Sequence, residues 1–211
     1  RPINLFGGGL SYKHYDLESV AIEETLRVLG DLVKEGKIRY VGLSNETPWG
    51  LSEFIKAAEM HDLPKVVSVQ NAYNLLNRIY ESGMSEFHHR SQVGLLAYSP
   101  PAQGYLTGKY LDGARPPGAR TTLFERGQRY ETEQAEEIIR KYVNLANEYS
   151  MDPALMANSF VNDQDFVTSN IIGATTMEQL KIAVGSIDTK LDEECLKKIE
   201  EIHYGCPNPC P

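Results

Sequence analysis

The chain carries little positive charge. Its 211 residues include 21 Lys and Arg against 29 Asp and Glu, which gives a formal net charge of −8 and a pI near 5.2. Proteins that bind nucleic acid usually present clustered basic residues on one face, and this sequence contains no such cluster. We therefore expect no nucleic-acid partner.

Long apolar runs are also absent, so the sequence predicts no membrane span. Neither the apolar core nor the cleavage site of a signal peptide is found near the first residue. Residue 1 is Arg rather than Met, and we expect that processing or truncation removed an upstream segment with any targeting signal it carried. The expected location is the cytoplasm, with an organellar stroma or matrix as the alternative.

Cysteine is scarce, and Cys195, Cys206 and Cys210 lie near or in the C-terminal tail. An odd count does not describe a disulfide framework and favours a reducing compartment. The spacing from Cys206 to Cys210 has no nearby His or second Cys pair that would complete a four-ligand zinc site. The sequence therefore predicts no metal centre and a solvated tail.

Four short strands alternate with helices. The predicted strands are 40–43, 66–70, 93–98 and 170–173, and the predicted helices are 19–34, 48–61, 81–90, 131–149, 153–161, 176–186 and 192–203. Loops are expected at 1–13, which contains three consecutive glycines, and at 104–129. This alternation predicts parallel βαβ units with right-handed crossovers.

Two α/β architectures could contain these units. A Rossmann-like sheet would be supported by a Gly-x-Gly-x-x-Gly turn between a strand and a helix, and the sequence has none. A (β/α) barrel places polar functional residues at the carboxyl ends of its strands, where Ser44 and Asn45 stand. The sequence favours the barrel, although a complete eight-fold barrel typically needs about 250 residues.

Several runs resemble the aldo-keto reductases, especially their Tas-like branch. They are GKIRYVGLSNET at 36–47, VQNAYNLL at 69–76, LAYSP at 96–100, LTGKY at 106–110 and IGATTMEQL at 172–180. In that family an eight-stranded barrel binds NADPH across its carboxyl mouth, and an Asp, Tyr, Lys and His group from its first half supplies a proton. Arg1-Pro2 resembles the residues that follow the family's His-Trp-Pro run.

The resemblance implies a partial TIM (β/α)8 barrel. The four strands correspond to the fifth to eighth, with their helices and a C-terminal helix, so residues 1–211 are expected to form a single C-terminal half-barrel. None of the family's catalytic residues is then present, and the chain alone is predicted to be inactive. A half-barrel would also expose an apolar interior and two strand edges, which predicts a protein partner or a homo-oligomer.

The resemblance also implies where NADP(H) binds. Ser44, Asn45 and Gln70 correspond to residues that hydrogen-bond the nicotinamide carboxamide, and Tyr98 corresponds to an aromatic that stacks on the ring. The phosphate side corresponds to Ser99, Gln103, Lys109, Arg120, Gly173, Thr175 and Gln179. The first three of these match pyrophosphate contacts, Arg120 matches a basic residue near the adenosine phosphate, and the last three match the turn after the eighth strand.

Some positions depart from the family's pattern. Pro101 removes a backbone donor on the pyrophosphate side, and Ile182 and Ala183 replace residues that face adenine. The segment 158–166 replaces a more apolar helix, and we expect looser packing there. Two hypotheses follow: the cofactor-binding half of an NADPH-dependent aldehyde or ketone reductase, or a noncatalytic binding or structural subunit descended from one.

Overall fold

The computed structural model describes residue 14 and residues 17–124 and 129–210. The strands are β1 Val41–Ser44, β2 Val66–Ala72, β3 Gly94–Tyr98 and β4 Val167–Ile171. The helices are α1 Ile22–Lys34, α2 Pro48–His61, α3 Met84–Ser91, α4 Arg120–Leu123, α5 Ala135–Glu148, α6 Pro153–Asn162, α7 Met177–Gly185 and α8 Glu193–Gly205. The loop predicted at 1–13 and part of the loop at 104–129 lie outside the described residues.

The four strands form one parallel sheet in the order β1-β2-β3-β4. Ser44 lies opposite Gln70, and Tyr98 lies opposite Ile171. Right-handed crossovers between strands in chain order carry their helices on one face, whereas a doubly wound sheet changes order at a switch point. The predicted α/β fold is confirmed, and this order is consistent with part of a barrel. Within the described residues, β1 and β4 are the edges of the sheet.

The two faces of the sheet differ in composition. Toward the helices lie Val41, Val69, Leu95 and Ala97, all at most 3% exposed. The opposite face is partly exposed and mixes polar with apolar residues: Gly42, Ser44, Ser68, Gln70, Ala72, Leu96, Tyr98, Ser169 and Ile171. The open face is therefore mixed, and the prediction that it is apolar holds for only part of it. The core lies between the sheet and the helices.

The helix ends follow the capping signals in the sequence. The Thr47 hydroxyl accepts the Gly50 N–H (3.1 Å) at the start of α2, where Pro48 occupies the first helical position. Asp152 and Asp192 cap α6 and α8 in the same way. In α1 the apolar spacing buries Leu26 completely. These caps fix where each helix leaves the end of a strand.

The fourth strand begins earlier than predicted, at Val167 instead of residue 170, and it ends at Ile171. Its residues 168–170 are Thr, Ser and Asn, which have the composition of a loop, yet Ser169 pairs with Leu96 and Asn170 pairs with Ala97 of β3, with Thr168 at an irregularity in the register. The Asn170 amide donates to the side-chain oxygens of Asn158 (3.3 Å) and Asn162 (3.0 Å) on α6.

The looser packing expected at residues 158–166 is not observed. Phe160 and Phe166 are 2% and 6% exposed, and both rings pack against the ring of Tyr73, with centroid separations of 6.1 and 5.2 Å. Asn158, Asn162 and Gln164 of the segment are hydrogen-bonded, and Asp165 is exposed. That expectation was wrong because amide pairs replace the apolar contacts between α6 and β4.

The C-terminal tail is packed, so the prediction of a solvated tail is wrong. Cys210 is fully buried, and its N–H donates to the Leu76 carbonyl (3.3 Å). In the loop after β2, the Arg78 backbone N–H donates to Asn208 Oδ1 (2.6 Å). The Pro209 carbonyl accepts the Thr132 hydroxyl (2.8 Å). Burial raises the pKa of the Cys210 thiol to about 12. The tail ties the loop after β2 to the segment before α5.

Gly94 allows β3 and β4 to approach each other. An ideal Cβ at this position would lie 2.0 Å from Thr168 Oγ1 and 2.9 Å from Thr168 Cβ. We predict that Gly94→Ala lowers the free energy of unfolding by about 1–3 kcal/mol in urea denaturation, because the added methyl forces the edge strand to move.

The matched control is Gly185→Ala on α7, where no atom of the described residues lies within 4 Å of the added Cβ. It should leave the stability equal or slightly higher, since alanine has the better helix propensity. Adding Thr168→Gly to Gly94→Ala should recover part of the loss. Equal denaturation midpoints for the two alanine variants would contradict the prediction.

Candidate functional site

Ser44, Asn45 and Gln70 meet at the carboxyl edge of the sheet. The Gln70 backbone carbonyl accepts both the Asn45 backbone N–H (2.9 Å) and the Ser44 hydroxyl (3.3 Å). The side-chain nitrogen of Asn45 donates to Ser44 Oγ (3.3 Å). Asn45 has a φ of 50°, which turns the chain sharply as it leaves β1. The turn brings a hydroxyl and an amide together at the start of the β1–α2 loop.

Tyr98 joins this group from the end of β3. Its hydroxyl donates to Asn45 Oδ1 (2.7 Å), and it accepts a hydrogen bond from Arg129 Nη1 (3.4 Å). Arg129 is 9% exposed. No sequence pattern points to a role for Arg129, because it lies at the end of a long loop without periodicity. Its proximity to Tyr98 arises only from the tertiary fold.

Asn74 holds the loops around the site, and no pattern in the sequence indicates this role beyond its position just after β2. It is fully buried, and its amide nitrogen donates to the Ser99 carbonyl and to the Tyr130 hydroxyl, both at 3.0 Å. Its Oδ1 accepts the N–H groups of Leu76 (2.9 Å) and Asn77 (3.1 Å). Burial raises the pKa of Tyr130 to about 12, so its hydroxyl stays protonated at neutral pH.

The loop after β3 contains the predicted pyrophosphate contacts Ser99 and Gln103. Ser99, Ala102 and Gln103 have φ values of 58°, 50° and 56°, an unusual conformation for residues with a Cβ. Pro101 lies within this turn, where its carbonyl accepts the Gly104 N–H (2.8 Å). Strained turns of this kind are common where a backbone contacts a ligand.

Lys109 lies against this loop. Its Nζ would be 2.8 Å from a Cβ placed on Gly104 and is 5.2 Å from the centroid of the Tyr110 ring. The Tyr110 hydroxyl accepts the Thr121 N–H (3.2 Å), which brings α4 and the exposed Arg120 to the same region. The structure therefore brings Lys109 to the predicted pyrophosphate loop and leaves Arg120 on the adjoining surface.

Gly173, Thr175 and Gln179 lie on exposed backbone after β4 and in the first turn of α7. Gln179 Oε1 accepts the Thr175 N–H (2.9 Å) and hydroxyl (3.1 Å), and Thr176 caps the helix. In the described part of the chain these residues share an edge of the sheet with Tyr98, but no hydrogen bond links the two groups. Their polar atoms satisfy one another locally.

The described residues offer no candidate metal site and no candidate membrane-spanning helix. They contain no group of three His, Cys, Asp or Glu side chains that could hold a metal ion. Within the same ranges, every helix is too short or too polar to cross a membrane. The donor set at the carboxyl edge consists of amides, hydroxyls and a ring face, which suits an uncharged carboxamide and its heterocycle.

We predict that Asn74→Ala lowers the free energy of unfolding by about 3 kcal/mol, because it leaves buried backbone groups and the Tyr130 hydroxyl without a partner. Urea denaturation measures the loss. The control is Asn144→Ala on the exposed side of α5, which should change stability by less than about 0.5 kcal/mol. Similar stabilities for the two variants would show that Asn74 does not hold these loops.

A family model described as Aldo/keto reductase family matches residues 7–203. Protein tas of Escherichia coli (strain K12) is 46% identical over 212 residues, which cover 100% of this chain and 61% of that protein. An aldo-keto reductase of Babesia bovis is 38% identical over 202 residues, covering 92% of this chain and 71% of the relative.

L-glyceraldehyde 3-phosphate reductase of Escherichia coli (strain K12) is 33% identical over 185 residues, covering 84% of this chain and 52% of that enzyme. The chain thus spans between half and two thirds of the length of the two Escherichia coli relatives. The family match covers nearly all of the chain and agrees with its parallel sheet. The chain belongs to the aldo/keto reductase family, in its Tas-like branch.

Proposed function

We propose that the chain is the cofactor-binding part of an NADP(H)-dependent oxidoreductase that reduces an aldehyde or ketone. The observation that carries the proposal is a cluster in which Ser44 and Asn45 donate to the Gln70 backbone carbonyl and Tyr98 donates to the Asn45 side chain. Its hydroxyl and amide groups offer donors and acceptors to a carboxamide, and the half-buried Tyr98 ring offers a flat face. Family membership supports the proposal, since aldo/keto reductases generally use NADP(H).

The nicotinamide end of the site orients the cofactor. Bound NADPH would supply the hydride. Ser44, Asn45 and Gln70 would hold the carboxamide, and Tyr98 would cover one side of the ring, leaving the other side for the substrate. These residues orient the ring and transfer no proton.

The phosphate end supplies charge and backbone donors. Ser99, Gln103 and Lys109 would bind the pyrophosphate, with Lys109 providing the positive charge, and the forked guanidinium of Arg120 would suit the adenosine 2′-phosphate. Gly173, Thr175 and Gln179 lie at the N-terminus of α7, where backbone N–H groups favour an anion. The exposure of this end permits a long, extended cofactor to lie across the edge of the sheet.

We also propose that residues 1–211 form one half-barrel whose strands correspond to the fifth to eighth of the family. The chain-order parallel pairing, the two open edges and the 61% coverage of Protein tas support this assignment. The proton donor of the reaction and the first four strands then belong to a polypeptide segment outside these 211 residues. The isolated chain is accordingly inactive.

A noncatalytic binding or structural subunit is the second candidate function. Ala183, which corresponds to a residue that faces adenine, is 8% exposed and packs into the protein, and Ile182 is half-buried. Pro101 offers no N–H on the pyrophosphate side. These positions favour a weakened adenosine end, in which case the fold would serve as an interaction module.

Cofactor binding separates the two candidates. We predict that the isolated chain binds NADPH with a Kd below about 10 μM, near −7 kcal/mol, in a fluorescence titration. Asn45→Ala should weaken binding about tenfold because it removes carboxamide hydrogen bonds, whereas Asn144→Ala should not. Undetectable binding would favour the noncatalytic subunit. Turnover of an aldehyde with NADPH by the isolated chain would contradict the half-barrel assignment.

The open edges of the sheet are the proposed contact surface for the completing partner. Unpaired strand edges readily pair with another chain, and Ile171 and Ile172 at the β4 edge are each 37% exposed. In the absence of the first four strands, a second copy of the chain would occupy this edge.

We predict that the purified chain sediments as a dimer or larger species in analytical ultracentrifugation, because its β1 and β4 edges pair. Ile171→Lys should shift the distribution toward monomer, since a charge at an edge opposes pairing. Met60→Lys, at a residue on α2 that is 76% exposed, is the control and should leave the distribution unchanged. A stable, nonaggregating wild-type monomer would exclude edge pairing.

A further inference from the structure

Arg129 occupies a buried position beside the nicotinamide end of the proposed site. Its side chain packs over the Tyr130 ring, with Cζ 5.6 Å from the ring centroid, and Nη1 lies 3.4 Å from the Tyr98 hydroxyl. The Tyr130 hydroxyl in turn accepts a hydrogen bond from the fully buried Asn74. The guanidinium is therefore largely buried and packs on a ring that Asn74 anchors, unlike the solvated head of a surface arginine.

The contact with Arg129 determines the direction of the Tyr98 hydroxyl. A guanidinium has five N–H donors and no acceptor, so it can only donate to the phenolic oxygen. The single proton of the hydroxyl must then point to an acceptor, and it is donated to Asn45 Oδ1 at 2.7 Å. The charged donor also strengthens the hydroxyl as a donor, because hydrogen bonds in series polarise one another.

The direction of the Tyr98 hydroxyl determines the orientation of the Asn45 amide. With Oδ1 accepting from Tyr98, the amide nitrogen must face Ser44 Oγ, to which it donates at 3.3 Å. An asparagine free to flip would present its oxygen and nitrogen interchangeably to a ligand. In this arrangement the amide presents one fixed pattern to a carboxamide before the ligand binds.

We propose that Arg129 is a positioning residue that acts through the Tyr98 hydroxyl to lock the Asn45 amide in the orientation that receives the nicotinamide carboxamide. The proposal rests on the proposed binding of NADP(H). It predicts that Arg129 affects only ligands that carry the nicotinamide ring. It also predicts that this effect requires the Tyr98 hydroxyl.

The test is a double-mutant cycle on NADPH binding, measured by fluorescence titration of the full chain. Arg129→Met and Tyr98→Phe should each weaken binding about fivefold, and the double variant should bind no more weakly than either single variant. The same variants should bind 2′-phospho-ADP-ribose, which lacks nicotinamide, as tightly as the wild type does. A merely structural role for Arg129 would weaken the binding of both ligands.

Two further variants keep the test decisive if Arg129→Met folds poorly. Arg129→Lys retains a donor without an acceptor and should keep NADPH affinity within about twofold, whereas Arg129→Gln adds an acceptor for the Tyr98 proton and should weaken it about fivefold. Arg140→Met is the matched control, because that exposed ion pair with Asp112 and Glu136 lies on α5 away from the site.

The outcomes separate this proposal from the proposed function. Wild-type chain that binds neither NADPH nor 2′-phospho-ADP-ribose overturns the proposed function, and this proposal with it. Wild-type chain that binds NADPH, together with an unchanged affinity for Arg129→Met, overturns this proposal alone. Additive losses in the cycle, equal losses for the two ligands, or equal affinities for the Lys and Gln variants also overturn it.

Discussion

Parallel pairing in chain order is the constraint on which the candidate site depends. Because Ser44 lies opposite Gln70 and Tyr98 lies opposite Ile171, the residues that end each strand meet at one edge. A slip of one residue would turn every side chain of a strand to the other face and separate this group. Gly94 permits the register of β3 and β4 by leaving room for Thr168, so strand packing and site geometry share the same determinant.

Stability and ligand binding are assigned to different faces of the sheet. The helix face is apolar and closed, whereas the opposite face presents partly exposed hydroxyl, amide and aromatic groups, which form the proposed cofactor site. The buried Asn74 couples the two, because it fixes Ser99 and Tyr130 from inside the core. A mutation at Asn74 should therefore disturb both the fold and the site, while a mutation at Ser44 should disturb only binding.

The parts of the structure that could be predicted from sequence are those determined by neighbouring residues. Strand ends and helix caps depend on local patterns, and for that reason Ser44 and Asn45 could be anticipated from the strand that they follow, whereas Gln70 and Tyr98 were assigned through the resemblance to the aldo-keto reductases. The contact of Arg129 with Tyr98 joins residues that no periodic pattern links. Polar β4 and the buried Cys210 tail were misjudged for the same reason: their surroundings, rather than their composition, decide whether they are ordered.

The two ends of the proposed groove differ in how they are prepared for a ligand. At the nicotinamide end, Arg129, Tyr98 and Asn45 form a directed series of hydrogen bonds between separate loops. At the adenosine end, Gln179 and Thr175 satisfy each other within one helical turn and are exposed. A preorganised polar group adds affinity because its ordering cost is met on folding, whereas exposed groups must give up local bonds to bind. In the proposed cofactor groove, a substitution such as Ala183 would therefore weaken the adenosine end without disturbing the hydrogen bonds of the nicotinamide end.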